Sequence, residues 1–324
     1  MADGISDKAP GKVTILGING HIGHHAAAAF AAAGWAVTGF GRANRHPLPG
    51  VIFVSGDADS VADIRRAVGD ADVVVNALNL PYHQWDRGRM EAQTSRVIEA
   101  MGKSSRTLMY PGNIYNYAAT QRVVTPNAPQ NPETPRGEIR VRSEALLRQA
   151  AEAGKFQLLI IRAGDFYAPN NALDWYDQGI MREAGKGRVA VPGKLETGHS
   201  WAYLPDLGKA FEKVAWHRKE LGAFENFHFA GHFVTGGQLL AAIKAAAPVP
   251  LTVTAFPWMV FQVVGVFMPM LREVNKMRYL WRNTMELKDQ RLDAILGPDF
   301  GTPFEAAVAA TVKPFFAGKA KLAA

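Results

Sequence analysis

Near its start the chain reads Val13-Thr14-Ile15-Leu16-Gly17-Ile18-Asn19-Gly20-His21-Ile22-Gly23, and an alanine-rich segment then runs to Ala33 and Gly34. The short apolar run suits a strand buried on both faces. Alanine has the highest helix propensity, and a glycine just past the last helical residue stops the helix. The order is therefore strand, glycine turn, helix. In such a turn Gly17 permits the tight bend, Gly20 lets the backbone approach a pyrophosphate, and Gly23 lets helix and strand pack closely. Free amides at the helix start would face the anion. The spacing is G-x-x-G-x-x-G, and between a strand and a helix it points to dinucleotide binding.

Working outward, apolar runs at 35–40, 51–54, 72–77, 106–110 and 157–162 alternate with helical patterns at 60–68, 90–101 and 138–153. Strands apolar on both faces and separated by helices imply a parallel sheet covered on both sides, an α/β doubly wound fold of Rossmann type. After Asp165 the texture changes. Residues 169–199 read as loops with one helix, and 202–217 and 239–247 as helices. The expected division is a dinucleotide-binding domain at 1–167 and a smaller, mostly helical substrate-side region at 168–324, some of whose elements return to the Rossmann core. A frayed tail is expected at 318–324.

The 324 residues are 48% hydrophobic and 20% charged, which excludes disorder as the main description. Cysteine is absent, which excludes disulfides, a thiolate nucleophile and cysteine-held metal or iron–sulfur sites. A reducing cytoplasm fits, and the polar N-terminus lacks the apolar core of an export signal. The longest apolar stretch, 256–271, contains Pro257 and Pro269 and is shorter than the ~20 residues of a spanning helix. It reads as a buried or lid helix, so no membrane contact is expected. The net charge of +7 favours anionic partners. The basic residues are scattered and accompany no nucleic-acid motif, so nucleic acid is not an expected partner.

After the second strand, Gly41 stands where an NAD-binding fold usually carries an acid, and Arg42 follows, with Arg45 nearby. An arginine there pairs with a 2′-phosphate, so NADP is expected in preference to NAD. His21, His24 and His25 lie at helical spacing, but in the phosphate loop they read as cofactor neighbours, and no metal site is expected.

The chain resembles an extended short-chain dehydrogenase/reductase of the NAD-dependent epimerase/dehydratase superfamily, in an atypical branch. Besides the glycine loop, Gly56-Asp57 matches the family's Gly-Asp near the adenine, and Asn76-Ala77-Leu78 its small-residue wall beside the cofactor. Residues Ile161-Arg162-Ala163-Gly164-Asp165-Phe166-Tyr167-Ala168-Pro169 resemble its "LRxxxVYGP" segment, and 199–207 its "hVxDva" element. The resemblance spans 13–210. It implies a small-molecule substrate, a helix-mediated homodimer, and cofactor contacts at Gly17, Asn19, Gly20, His21, Ile22, Gly23, Arg42, Asp57, Ala77, Leu78, Arg140 and Ala163.

The sequence departs from the family at its catalytic element, Tyr-x-x-x-Lys. Counting back from Glu144 places the tyrosine at Arg136 and the lysine at Arg140, and no tyrosine lies between Tyr117 and Tyr167. Arginine stays protonated, so it is no tunable acid. Arg140 retains a role on ribose hydroxyls or an anionic substrate. A proton donor must then come from elsewhere. Tyr115 is the first candidate, with Asn113 orienting the substrate oxygen. Tyr82 and His83 come second, and His199 third, as a pocket residue. Asp165 reads as a structural cap. Trp175, Tyr176, Trp201 and Tyr203 are expected on the substrate side.

The expected activity is hydride transfer at a carbonyl or hydroxyl, in an oxidoreductase or an epimerase/dehydratase-like enzyme. The alternatives are a non-catalytic NADP(H)-sensing regulator or scaffold, and a peripheral membrane or quinone-associated protein.

Overall fold

The structure is a computed structural model that describes residues 10–170 and 174–317. The expected tail at 318–324, and all but the end of the polar N-terminus, lie outside the described residues.

One seven-stranded sheet organises the chain. Its strands are β1 (Lys12–Leu16), β2 (Ala36–Gly41), β3 (Val51–Ser55), β4 (Val73–Asn76), β5 (Thr107–Gly112), β6 (Gln157–Ala163) and β7 (Phe224–Phe229). Their order is β7-β6-β5-β4-β1-β2-β3, and every neighbouring pair is parallel. The strand order reverses between β1 and β4, and ligands bind at such a switch point, beyond the carboxyl ends of the strands. All residues of β4 and β5 are buried, as strands covered on both faces must be.

Helices α1 (His21–Ala32) and α5 (Leu204–Trp216) cover one face of the sheet. Helices α2 (Val61–Val68), α3 (Arg89–Met101) and α4 (Pro135–Glu152) cover the other. The hydroxyl of Ser60 caps α2 and that of Thr134 caps α4, each accepting a first-turn amide. Helices α1 and α5 cross so closely that a Cβ on Gly208 would lie 2.4 Å from the His25 carbonyl oxygen.

A buried ion pair joins α4 to the sheet. Arg162 of β6 donates to both carboxylate oxygens of Glu144, at 3.1 and 2.6 Å, and to the Asn113 carbonyl. The side chains are 0% and 6% exposed.

The second half differs from the sequence reading in several places; within 169–199, read as loops with one helix, Arg188–Val191 is a strand paired with Thr252–Ala255. The run at 202–217 is not all helix. Gly198–Tyr203 forms a strand between Asp165–Tyr167 and His232–Thr235, and α5 starts only at Leu204, helped by Pro205 in its first turn. Strand β7 was not anticipated, because Glu225, Asn226 and His228 break its apolar pattern. Each has a partner: Glu225 pairs with Arg291, Asn226 donates to the Pro126 carbonyl, and His228 bonds the Val124 carbonyl and the Tyr117 hydroxyl. Finally, 256–271 is not a buried helix. Trp258–Val264 and Pro269–Lys276 form a helical hairpin whose Met259 is 79% exposed and Phe267 83%. Its base packs on an aromatic cluster that includes Trp175, Phe256, Trp258 and Trp281.

Removing one partner of a buried pair leaves an uncompensated charge. Glu144→Ala should therefore lower unfolding free energy by about 3–5 kcal/mol in a denaturant titration. Glu152→Ala, which breaks the exposed pair with Arg148, should cost less than ~1 kcal/mol.

Candidate functional site

At the carboxyl edge of β1 the glycine loop is held by the neighbouring strands. The amides of Gly17 and Ile18 donate to the Phe40 carbonyl, and the amide of Ala77 donates to that of Leu16. Gly17 adopts φ +84°, and a Cβ there would sit 2.9 Å from the Ala77 carbonyl oxygen. A Cβ on Gly23 would meet the Gly17 carbonyl oxygen at 2.3 Å, and one on Gly20 would meet it at 3.3 Å. Helix α1 starts at Gly20 without a side-chain cap and with no acid in its first turn. The amides of His21, Ile22 and Gly23 thus begin a helix that nothing on its own first turn neutralises. This cradle of small residues ending in uncapped amides fits the pyrophosphate of a dinucleotide.

The residues around the cradle divide between those that face it and those that build it. Asn19 is a builder: its amide donates to the Ala43 carbonyl at 2.7 Å and accepts from the Arg45 amide at 3.0 Å. It latches the basic loop after β2 to the glycine loop. Gly41 is tied to this latch, since a Cβ there would lie 2.8 Å from the Asn19 amide nitrogen. Arg42 and Arg45 are exposed. Asp57 is exposed too, and its carboxylate accepts the Asp59 amide. Leu78 is half-buried after β4, and Ala163 is buried at the end of β6. His21 pairs with Asp174 at 2.8 Å. Nearby, burial and then the Asp174 charge push the Asp177 carboxyl up to about 7. Burial lowers the imidazoles of His24 and His25, the latter to about 4.

Arg136 of α4, which the sequence reading set at the family's tyrosine position, is 1% exposed and fully engaged. It grips both oxygens of Asp86 at 2.9 and 3.0 Å, and its Nε donates to Glu273 at 3.1 Å. This guanidinium is a clamp between the loop after β4 and the hairpin. Sequence reasoning missed this, because the partners lie 50 and 137 residues away. Further along α4, Arg140 donates to the Pro111 carbonyl at 2.6 Å and lies over the rings of Tyr110 and Trp85. Its buried Nε has no hydrogen-bond partner.

Polar side chains gather at the ends of β4, β5 and β6. The hydroxyls of Tyr82 and Tyr115 are in hydrogen-bond contact. Tyr82 also stacks on Trp85, whose indole donates to the Leu80 carbonyl. His199 Nε2 donates to Asp165 at 2.7 Å, and His199 stacks on Trp281 at 4.8 Å. The carboxylate holds the proton on Nε2, which leaves Nδ1 as the acceptor, and that atom is buried without a partner. Burial raises the Tyr115 hydroxyl well above the usual phenol range, aided by the charges of Tyr82 and Asp165. Burial likewise raises Tyr82 and Tyr279, and Asp165 bears on both. Asp165 thus lies within electrostatic reach of all three tyrosines, and with His199 these groups make a loose polar cluster.

Sequence candidates fall on both sides of this cluster. Tyr115, Tyr82 and His199 belong to it, and so does Asp165, whose carboxylate serves His199 rather than a turn. His83 is exposed and points elsewhere, toward Gln84. Asn113 accepts the Tyr115 amide on its side-chain oxygen at 3.0 Å, which sets the turn that carries Tyr115. Tyr279 went unanticipated; its signal was an aromatic-basic run just past the apolar stretch. A narrow apolar pocket opens beside His199, walled by Ile180, Trp201, Leu239, Ile243, Leu280 and Trp281. Of the four aromatics expected on the substrate side, Trp201 lines it.

Comparison with known proteins bears on the fold and the family. A search of curated proteins found no match. Among solved structures, MoeE5 in complex with UDP-glucose and NAD is similar at a TM-score of 0.74 and 15% identity, over 96% of this chain and 99% of that one. Bordetella bronchiseptica WbmH in complex with NAD+ is similar at 0.69 and 20% identity, over 94% and 97%. UDP-glucuronic acid 4-epimerase from Bacillus cereus, in complex with UDP-glucuronic acid and NAD, is similar at 0.74 and 12%, over 94% and 98%. At such identities the likeness concerns the fold. Residues 13–229, from β1 to the end of β7, match the NAD dependent epimerase/dehydratase family, and to that family this chain belongs.

Proposed function

We propose that the chain is a nicotinamide-dinucleotide-dependent enzyme acting on a carbonyl or hydroxyl group of a small molecule. In place of Tyr-x-x-x-Lys it uses the buried tyrosines and the Asp165–His199 pair. The observation that carries this reading is the hydroxyl contact of Tyr82 with Tyr115, beside Asp165 and His199, at the carboxyl edge of the sheet. When bound, the nicotinamide exchanges a hydride with the substrate carbon.

The chain's own residues handle the proton. A raised phenol keeps its proton across the neutral range, so Tyr115 acts as an acid toward a developing alkoxide, and Tyr82 passes it a replacement. In the opposite direction the same path runs backward, the substrate hydroxyl returning its proton to the tyrosine pair, while His199 Nδ1, with the Nε2 proton held by Asp165, accepts a hydrogen bond from the substrate. Asn113 sets the turn that aims Tyr115. The unpartnered Nε of Arg140 would serve a ribose hydroxyl, and the first half of the chain would hold the cofactor while the second supplies the substrate wall. The apolar pocket beside His199 favours a substrate with an apolar part.

NADP is the preferred cofactor in this reading. Arg42 is exposed just past the end of β2, and with glycine at 41 no carboxylate there would repel a 2′-phosphate. A non-catalytic NADP(H) sensor is the second reading, favoured by the burial of Arg136 in its clamp.

Calorimetric titration with NADPH and NADH, followed by turnover assays on carbonyl compounds and sugar nucleotides, tests these points. Arg42→Ala should weaken NADPH roughly tenfold to a hundredfold, the worth of a hydrogen bond to a charged group, and leave NADH nearly unchanged. Tyr115→Phe should lower kcat by about a hundredfold or more at unchanged cofactor affinity. Equal loss for both nucleotides would remove Arg42 from 2′-phosphate recognition. Full activity in the phenylalanine variant would remove Tyr115 from the chemistry, and tight binding without turnover would favour the sensor.

A further inference from the structure

The hairpin formed by Trp258–Val264 and Pro269–Lys276 exposes more apolar surface than its surroundings explain. Met259, Val263, Val266, Phe267, Met268 and Met270 are 50–83% exposed and cluster on one edge and the tip. Contiguous exposed apolar patches mark interaction sites, whereas scattered apolar side chains do not. The tip is held out by a close helix crossing: a Cβ on Gly265 would lie 3.0 Å from the Arg272 amide nitrogen. Its base is anchored, since the Trp258 indole donates to the Pro192 carbonyl at 2.6 Å.

Charge distinguishes the occupants of this surface. Beside the apolar edge lies a polar cleft that includes Gln262, Lys276, Arg278 and Arg282. Gln262 comes from the same helix as Met259 and Val263. The hairpin's acid, Glu273, is buried and committed to Arg136 and Lys276. The outward face is therefore cationic. A second copy related by a two-fold axis would set these cations against their own images. An anionic bilayer answers both features: acyl chains receive the apolar tip, and headgroup phosphates meet the guanidinium groups.

We infer that this hairpin docks the protein on the surface of an anionic lipid bilayer. Phe267 and its neighbours enter the headgroup–acyl boundary, while Arg278 and Arg282 hold lipid phosphates. No helix among the described residues is long and apolar enough to cross a membrane, so the contact is interfacial. Because Pro192 also lines the apolar pocket beside His199, docking would bring that pocket's rim close to the lipid.

Co-sedimentation of the full chain with vesicles tests this, using phosphatidylcholine alone and phosphatidylcholine mixed with phosphatidylglycerol. The protein should sediment with the mixed vesicles, far less with phosphatidylcholine alone, and release as salt rises. Phe267→Ser should weaken binding more than tenfold, as loss of a buried aromatic implies. Arg278→Gln and Arg282→Gln should each weaken it about fivefold. Phe267 is exposed, so the serine variant should melt like the parent. Protein that stays in the supernatant with both vesicle types would overturn the inference, as would binding indifferent to Phe267→Ser. A concentration-dependent dimer in sedimentation velocity, abolished by the same substitution, would overturn it in favour of a second copy.

Discussion

Where β1 ends, the backbone of Gly17 passes the carbonyl of Ala77 at a separation that admits no side chain. Much of the molecule is arranged around that approach. It needs the two central strands side by side, so the order of the sheet must reverse there. It needs a residue at positive φ, which only glycine adopts freely. It also aims the uncapped amides of α1 into the crevice rather than into the sheet. Residues far apart in the chain then converge on this edge simply because their strands end there.

The elements around that approach were legible in the sequence because their information is local. An apolar run is buried on both sides wherever it lies in the sheet, and a glycine turn between strand and helix has few other uses. Strands β1 to β6 follow from this. Strand β7 does not, since its polar residues look like a loop until Arg291, Pro126 and Val124 arrive to satisfy them. The division at 202–204 was hidden for a similar reason. Ala202 and Tyr203 run straight into the helical pattern that follows, and only the neighbours of Gly198–Tyr203, at Asp165–Tyr167 and His232–Thr235, make that stretch a strand.

At the candidate site the individual residues were visible but their pairings were not. Tyr82, Tyr115 and Asp165 each stood out by position after a strand, and His199 by its place in the family's pattern. Nothing in their spacing told that the tyrosines meet each other, or that Asp165 serves His199 and not a turn. The apolar character of 256–271 was equally plain, but apolarity says only that burial is favourable, not what does the burying. Exposure is decided by what the rest of the chain leaves uncovered.

The clamp at Arg136 makes the C-terminal hairpin and the loop after β4 share one fate. A single buried guanidinium on α4 holds Asp86 of that loop and Glu273 of the hairpin. Drawing either carboxylate away leaves a buried charge less well balanced, so loosening at one end is felt at the other. Two segments far apart in the chain therefore behave as one mechanical unit.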